Sequence, residues 1–158
     1  MEFASRAVKS LVELHEREMR AFEDTWKRYA ATDLPVPEAH GDENYSSRER
    51  LHAHVLFAAR GYLTRIGEWL GRSVTDVDAT TDAAAASARA AALMDEILAA
   101  YRRHLASVTT EELEPQKHKT RWGELMSVEM LLEHAVVHPM RHRIQLERLL
   151  ESRATAKA

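Results

Sequence analysis

The sequence predicts an all-α protein: a four-helix bundle in a single domain over residues 1–158. Three observations point there. Glycine and proline are scarce, at five and four in 158 residues, while alanine, leucine, glutamate and arginine abound. Apolar residues recur at helical spacing in four long stretches. The length suits one domain, and 45% hydrophobic residues suffice to fill one core.

The first stretch, residues 4–31, carries Val8, Leu11, Val12, Met19, Phe22, Trp26 and Tyr29 on one face. His15 and Glu18 lie along it and are expected at solvated or rim positions. Residues 32–44 hold Pro35, Pro37 and Gly41, and Pro-x-Pro cannot continue a helix. The loop is long for a helix–helix connection, and two readings are open: it caps one end of the bundle and borders a site, or it is a plain connector.

Ser46 or Ser47 supplies an N-cap for the second helix, which runs to about residue 70 and ends near Gly71. Its apolar stripe reads Leu51, Val55, Ala58, Tyr62, Ile66 and Trp69. At 100° per residue His54 falls roughly 60° from the centre of that stripe and His52 roughly 100° to the other side. His54 is therefore expected to face inward and His52 to meet solvent. Residues 72–81 form a polar turn with Asp76, Asp78 and Thr80 available as caps.

The third helix is expected from Thr81 or Asp82 to about residue 106. Its alanine-rich first half gives strong helix propensity, and Leu93, Ile97, Tyr101 and Leu105 continue a core stripe. Tyr101 and His104 are read as structural. Residues 108–123 make a second connection, broken by Pro115, with a helical turn over 111–114 and Trp122 and Gly123 before the last helix. That helix starts between residues 121 and 127 and continues to about 152, followed by a short frayed tail.

Net charge is −3 with both signs interspersed and no basic patch, which argues against nucleic-acid binding. Cysteine is absent, so disulfides and thiolate ligands are excluded, and any metal must be held by His, Asp or Glu. No apolar run reaches membrane-spanning length and no signal peptide is visible, so no membrane partner and a cytoplasmic location are expected. Regular amphipathic stripes and 6% aromatic content give little support to a partner-binding helical module, while a homodimer through helix faces fits every reading.

The chemistry concentrates in the last helix. Its buried stripe reads Val128, Leu131, Ala135, His138, His142, Gln145 and Leu149, so two imidazoles and an amide occupy seam positions that an ordinary bundle gives to Leu or Ile. Residues four apart on a helix stack on one face, which lets His138 and His142 grip one ion. His134 lies at the edge of this face. Burying such groups is unfavourable unless each is bonded or bound, and an ion removes that penalty. The alternative is a pair of histidines hydrogen-bonded within a polar bundle interior. His54 is the natural third ligand, with His52 and His134 as competitors. Zinc fits three imidazoles best, and nickel, iron or manganese are compatible. Pro139 removes a backbone donor between the two ligands, so a kink or wide turn is expected there.

Taken together, Leu51-His52-Ala53-His54-Val55 and His138-Pro139-Met140-Arg141-His142-Arg143-Ile144-Gln145-Leu146 resemble the DinB-like superfamily. The resemblance implies an up–down–down–up four-helix bundle that binds a divalent metal. Its ligand pattern, one histidine on the second helix and His-x-x-x-His on the last followed by Arg-x-Gln, maps onto His54, His138, His142, Arg143 and Gln145. It further implies a metal-dependent thiol S-transferase using a low-molecular-weight thiol, or a hydrolase, acting on a small electrophilic substrate. A non-catalytic metal-binding or stress-related bundle is the alternative. Gln145 and Arg143 are candidates for the layer behind the ligands. No residue stands out as a general base, since Glu133 and Glu147 flank the seam on its exposed side.

Overall fold

A computed structural model describes residues 2–38, 41–114, 118–120 and 123–156. Pro115 and Trp122 lie outside the described residues.

Helix α1 (Arg6–Ala30) starts at Ser5, whose hydroxyl accepts from the Val8 amide, and α2 (Arg48–Trp69) starts at Ser47, which caps Arg50 in the same way. Gly71, at φ 66°, turns the chain out of α2. The expected third helix is two: α3 (Ala83–Ala88), capped by Asp82, and α4 (Ala90–Leu105). The break falls at Arg89, whose guanidinium bonds Asp78 and Glu96. Alanine propensity is equally strong on both sides of Arg89, so the interruption has no local signature. A capping box at Thr109 and Glu112 opens the short α5 (Thr110–Leu113). Strands β1 (His118–Lys119) and β2 (Leu125–Met126) pair antiparallel, His118 opposite Met126. Helix α6 (Val128–Ala156) runs unbroken through Pro139, without the wide turn that residue predicts.

Cross-helix pairs fix the topology. Glu18 meets Arg143 and Asp33 meets Arg153, so α1 and α6 run parallel. Tyr62 meets His134 and Tyr45 meets His142, so α2 opposes α6. Glu16 meets Arg102 and Arg20 meets Asp95, so α4 opposes α1. The long helices are therefore up, down, down and up, as expected. Among the described residues α1 packs chiefly against α6, and α2 against α3, α6 and α4, with little contact between α1 and α2. Phe22, Met19, Tyr29, Leu51, Leu63, Ile97 and Tyr101 fill the centre. No helix among the described residues is long and apolar enough to cross a membrane.

His15 and Glu18 are not at the rim: they are 1% and 6% exposed, because α1 has neighbours on two sides. The His15 ring stacks on Tyr101 at 4.1 Å, and neither of its nitrogens has a hydrogen-bond partner. Burial holds its pKa down, from 6.5 to about 3. Above pH 6.5 the ring is neutral in the folded and unfolded chain and adds no pH dependence. Below that, only the unfolded chain takes up the proton, so stability falls as pH drops towards 3. We expect His15→Phe, which keeps the stack, to lose about 2 kcal/mol less than wild type between pH 6.5 and pH 5. Urea melts at the two pH values measure this.

Candidate metal centre

The three rings of His54, His138 and His142 meet between α2 and α6. Antiparallel packing brings the first turns of α2 against the middle of α6, and His138 and His142 point the same way one helical turn apart. Ring centroids are 4.9 Å apart for His54 and His138, 5.2 Å for His54 and His142, and 4.7 Å for His138 and His142. One nitrogen from each ring lies within 4.8 Å of the others. The Nε2 atoms of His54 and His138 stand 3.1 Å apart. Two nitrogens bound to one ion at about 2.1 Å keep roughly that separation. His138 and His142 are 5% and 1% exposed, and His54 is half-buried.

The hydrogen bonds around His142 set its tautomer. The Tyr45 hydroxyl donates to Gln145 Oε1 at 3.0 Å and lies 3.3 Å from His142 Nδ1. With that proton committed to Gln145, Nδ1–H of His142 donates to the tyrosine oxygen. The lone pair is then on Nε2, which is buried and has no hydrogen-bond partner. An orphaned buried acceptor beside two further imidazoles is the feature that a bound cation would satisfy. Behind His138 the support is packing instead: Nδ1 has no partner, and the Tyr62 ring stands edge-on at 5.6 Å.

Burial lowers the His138 pKa far below the ordinary histidine value, helped by His142, His54 and Arg141. Burial also lowers that of His142, to about 4; His54 and Arg141 add to this, and a hydrogen bond donated to Gln145 opposes it. Both rings are therefore neutral at pH 7, the form that donates a lone pair to a metal.

Tyr45 is a site residue the sequence reading missed. It sits in a 3-10 turn (Glu43–Tyr45) at the end of the long loop, which borders the histidines and is more than a plain connector. Loops carry no periodicity, so the only signal was the loop's length.

His52 corrects the sequence reading. It is 3% exposed, not solvent-facing, because α2 packs on α3, α4 and α6 and buries far more than one stripe. Its ring stacks on Trp26 at 4.3 Å, with Nε2 2.8 Å from Glu23 Oε2 and Nδ1 3.0 Å from Ser87 Oγ. Burial raises the Glu23 pKa, but the hydrogen bond and charge of His52 outweigh it and the net shift is downward. The carboxylate accepts from Nε2–H, and Nδ1 pairs with the serine hydroxyl. His52 thus ties α1, α2 and α3 together and stands apart from the three-histidine group. His134 faces Tyr62, with its ring 6.4 Å from that of His138. Arg143, expected beside the site, bonds Glu147 at 2.9 Å and Glu18 at 3.2 Å. It lies about 100° round α6 from His142, facing α1, and fastens those two helices. Tyr101 donates to the Ala59 carbonyl and His104 pairs with Asp76, both structural as expected.

Two cavities open beside the histidines. The first, about 440 Å³, is lined by His54, Phe57, Gly61, Tyr62, Arg65 and Leu131 among others. The second, about 580 Å³, is more polar in residue type, with Ser47, Glu49, Arg50 and Asp82 in its wall. Asn44, His54 and Phe57 belong to both.

Comparison with protein families matches the DinB family model to residues 37–152. No curated protein and no solved structure matches the chain.

Proposed function

The chain belongs to the DinB family, and we propose that it is a metal-dependent thiol S-transferase acting on a small electrophilic molecule, with His54, His138 and His142 as the ligands. The observation that carries this reading is that His54 stands in the wall of both cavities. A structural ion would be closed off by protein, whereas a ligand residue shared by two openings leaves room for two reactants. The polar cavity suits a hydrophilic low-molecular-weight thiol, and the cavity walled by Phe57, Tyr62 and Leu131 suits an apolar electrophile.

A divalent ion held by three neutral imidazoles lowers the pKa of a water or thiol that binds it. Zinc fits the ligand set best, and nickel, iron or manganese suit imidazole as well. The protein's own part is positional. Tyr45 and Gln145 fix the His142 ring and its tautomer. Neutral His138 and His142 offer lone pairs without a competing proton. The apolar wall keeps water from the electrophile. A hydrolase, with water in place of the thiol, is the second reading, and the same open site supports it.

Turnover decides between them. The zinc-loaded chain is expected to conjugate activated aryl halides or epoxides with bacillithiol, mycothiol or glutathione. Rates should be at least 100-fold above those of His138→Ala. Thiol-independent loss of ester substrates would favour the hydrolase. No turnover of either kind above that variant would leave a non-catalytic metal-binding bundle.

A further inference from the structure

We propose that the cavity walled by Phe57, Tyr62 and Leu131 takes an elongated ligand with an anionic tail, and that Arg65 binds the tail. This rests on the metal-site reading only for the end of the ligand near His54.

The geometry of α2 sets the shape. His54, Ala58, Gly61 and Arg65 fall within an arc of about 60° on the helix, flanked by Phe57 and Tyr62, and all six line the cavity. His54 and Arg65 stand about 16 Å apart along the axis at 1.5 Å per residue. The stripe is thus a trough with small residues in its floor, aromatic walls, the His54 imidazole at one end and a guanidinium at the other.

Gly61 points to an occupant. Glycine inside a helix is destabilising relative to alanine. At Gly67 packing explains it, since a Cβ there would come within 2.8 Å of the Arg72 carbonyl oxygen and of Val74 Cγ2. At Gly61 a Cβ would meet nothing within 4 Å. Among the described residues no protein atom uses that space, and Gly61 is exposed in the cavity floor.

Charge selects the ligand's ends. Among the described residues that line the cavity, Arg65 carries the one permanent charge and none is a carboxylate. Its bond to Glu68 at 2.7 Å joins two side chains that are 45% and 54% exposed, a pair of little strength that leaves other guanidinium donors for a ligand. At the histidine end, three neutral ligands leave the charge of a divalent ion uncompensated. The ligand class is therefore an apolar or aromatic body carrying a carboxylate or sulfonate.

Two fluorescent probes test this on the full chain: 1-anilinonaphthalene-8-sulfonate and N-phenyl-1-naphthylamine, which shares the rings but lacks the sulfonate. Arg65→Gln is expected to weaken the sulfonate probe about tenfold and to change the neutral probe less than twofold. Gly61→Leu, which puts a good helix former into open space, should weaken both at least tenfold while its melting temperature does not fall. Equal affinity of the sulfonate probe for wild type and Arg65→Gln would overturn the proposal, as would unchanged binding of both probes to Gly61→Leu. Each titration is run with zinc and with chelator, and bound zinc is counted. A chain that holds no zinc yet shows the Arg65 difference supports the trough and refutes the metal reading. Zinc at the histidines without that difference refutes the trough alone.

Discussion

Zinc is expected to raise the melting temperature of the wild-type chain by about 10 °C and to leave the His138→Ala, His142→Ala variant where it was. An ion that binds only the folded state stabilises it by about 3–4 kcal/mol at 100 to 1,000 times its dissociation constant. In a chain of 158 residues each kcal/mol moves the melting temperature by roughly 2–4 °C. The variant removes both imidazoles that α6 supplies and leaves His54 alone, which cannot hold an ion against water. Tyr45→Phe should fall between the two, because His142 loses the partner that fixes its tautomer. Differential scanning fluorimetry with a zinc titration separates the three. A shift of equal size in the double variant would place the bound zinc elsewhere.

The second large effect concerns His52. We expect His52→Leu to lower the unfolding free energy by about 3–5 kcal/mol at pH 7, because it leaves the Glu23 carboxylate buried and unpaired. Adding Glu23→Leu should return most of that loss, since replacing a whole buried pair by apolar groups is close to neutral. Zinc binding should persist in the double variant, as neither residue touches the three histidines. Urea denaturation of the single and double variants gives the coupling directly. A loss below about 1 kcal/mol in His52→Leu would mean that water reaches Glu23 and relieves it.

The contrast between α6 and α2 explains what the sequence revealed. On α6 the polar residues at seam positions stood out against an apolar stripe, and His138 and His142 could be placed on one face from spacing alone. On α2 a single buried stripe predicts His54 inward and His52 outward, but α2 has neighbours on three sides and buries His52 as well. His15 and Glu18 were misjudged for a related reason: a charged or polar letter on a helix reads as solvated until its partners are known. Tyr45 had no periodicity to mark it. The Arg89 break was hidden because its cause, a guanidinium drawn to Asp78 and Glu96, is tertiary. Arg143 followed the family pattern in sequence, yet its contacts are with Glu18 and Glu147. Order along a helix does not say which neighbour a long side chain will find.

Metal content of untagged protein tests the central claim most directly. Purified wild-type chain, dialysed and measured by inductively coupled plasma mass spectrometry, should carry close to one divalent ion per chain. The His138→Ala, His142→Ala variant, purified in parallel, should carry almost none. Equal and negligible metal in both preparations, with none gained on adding zinc, would contradict the account.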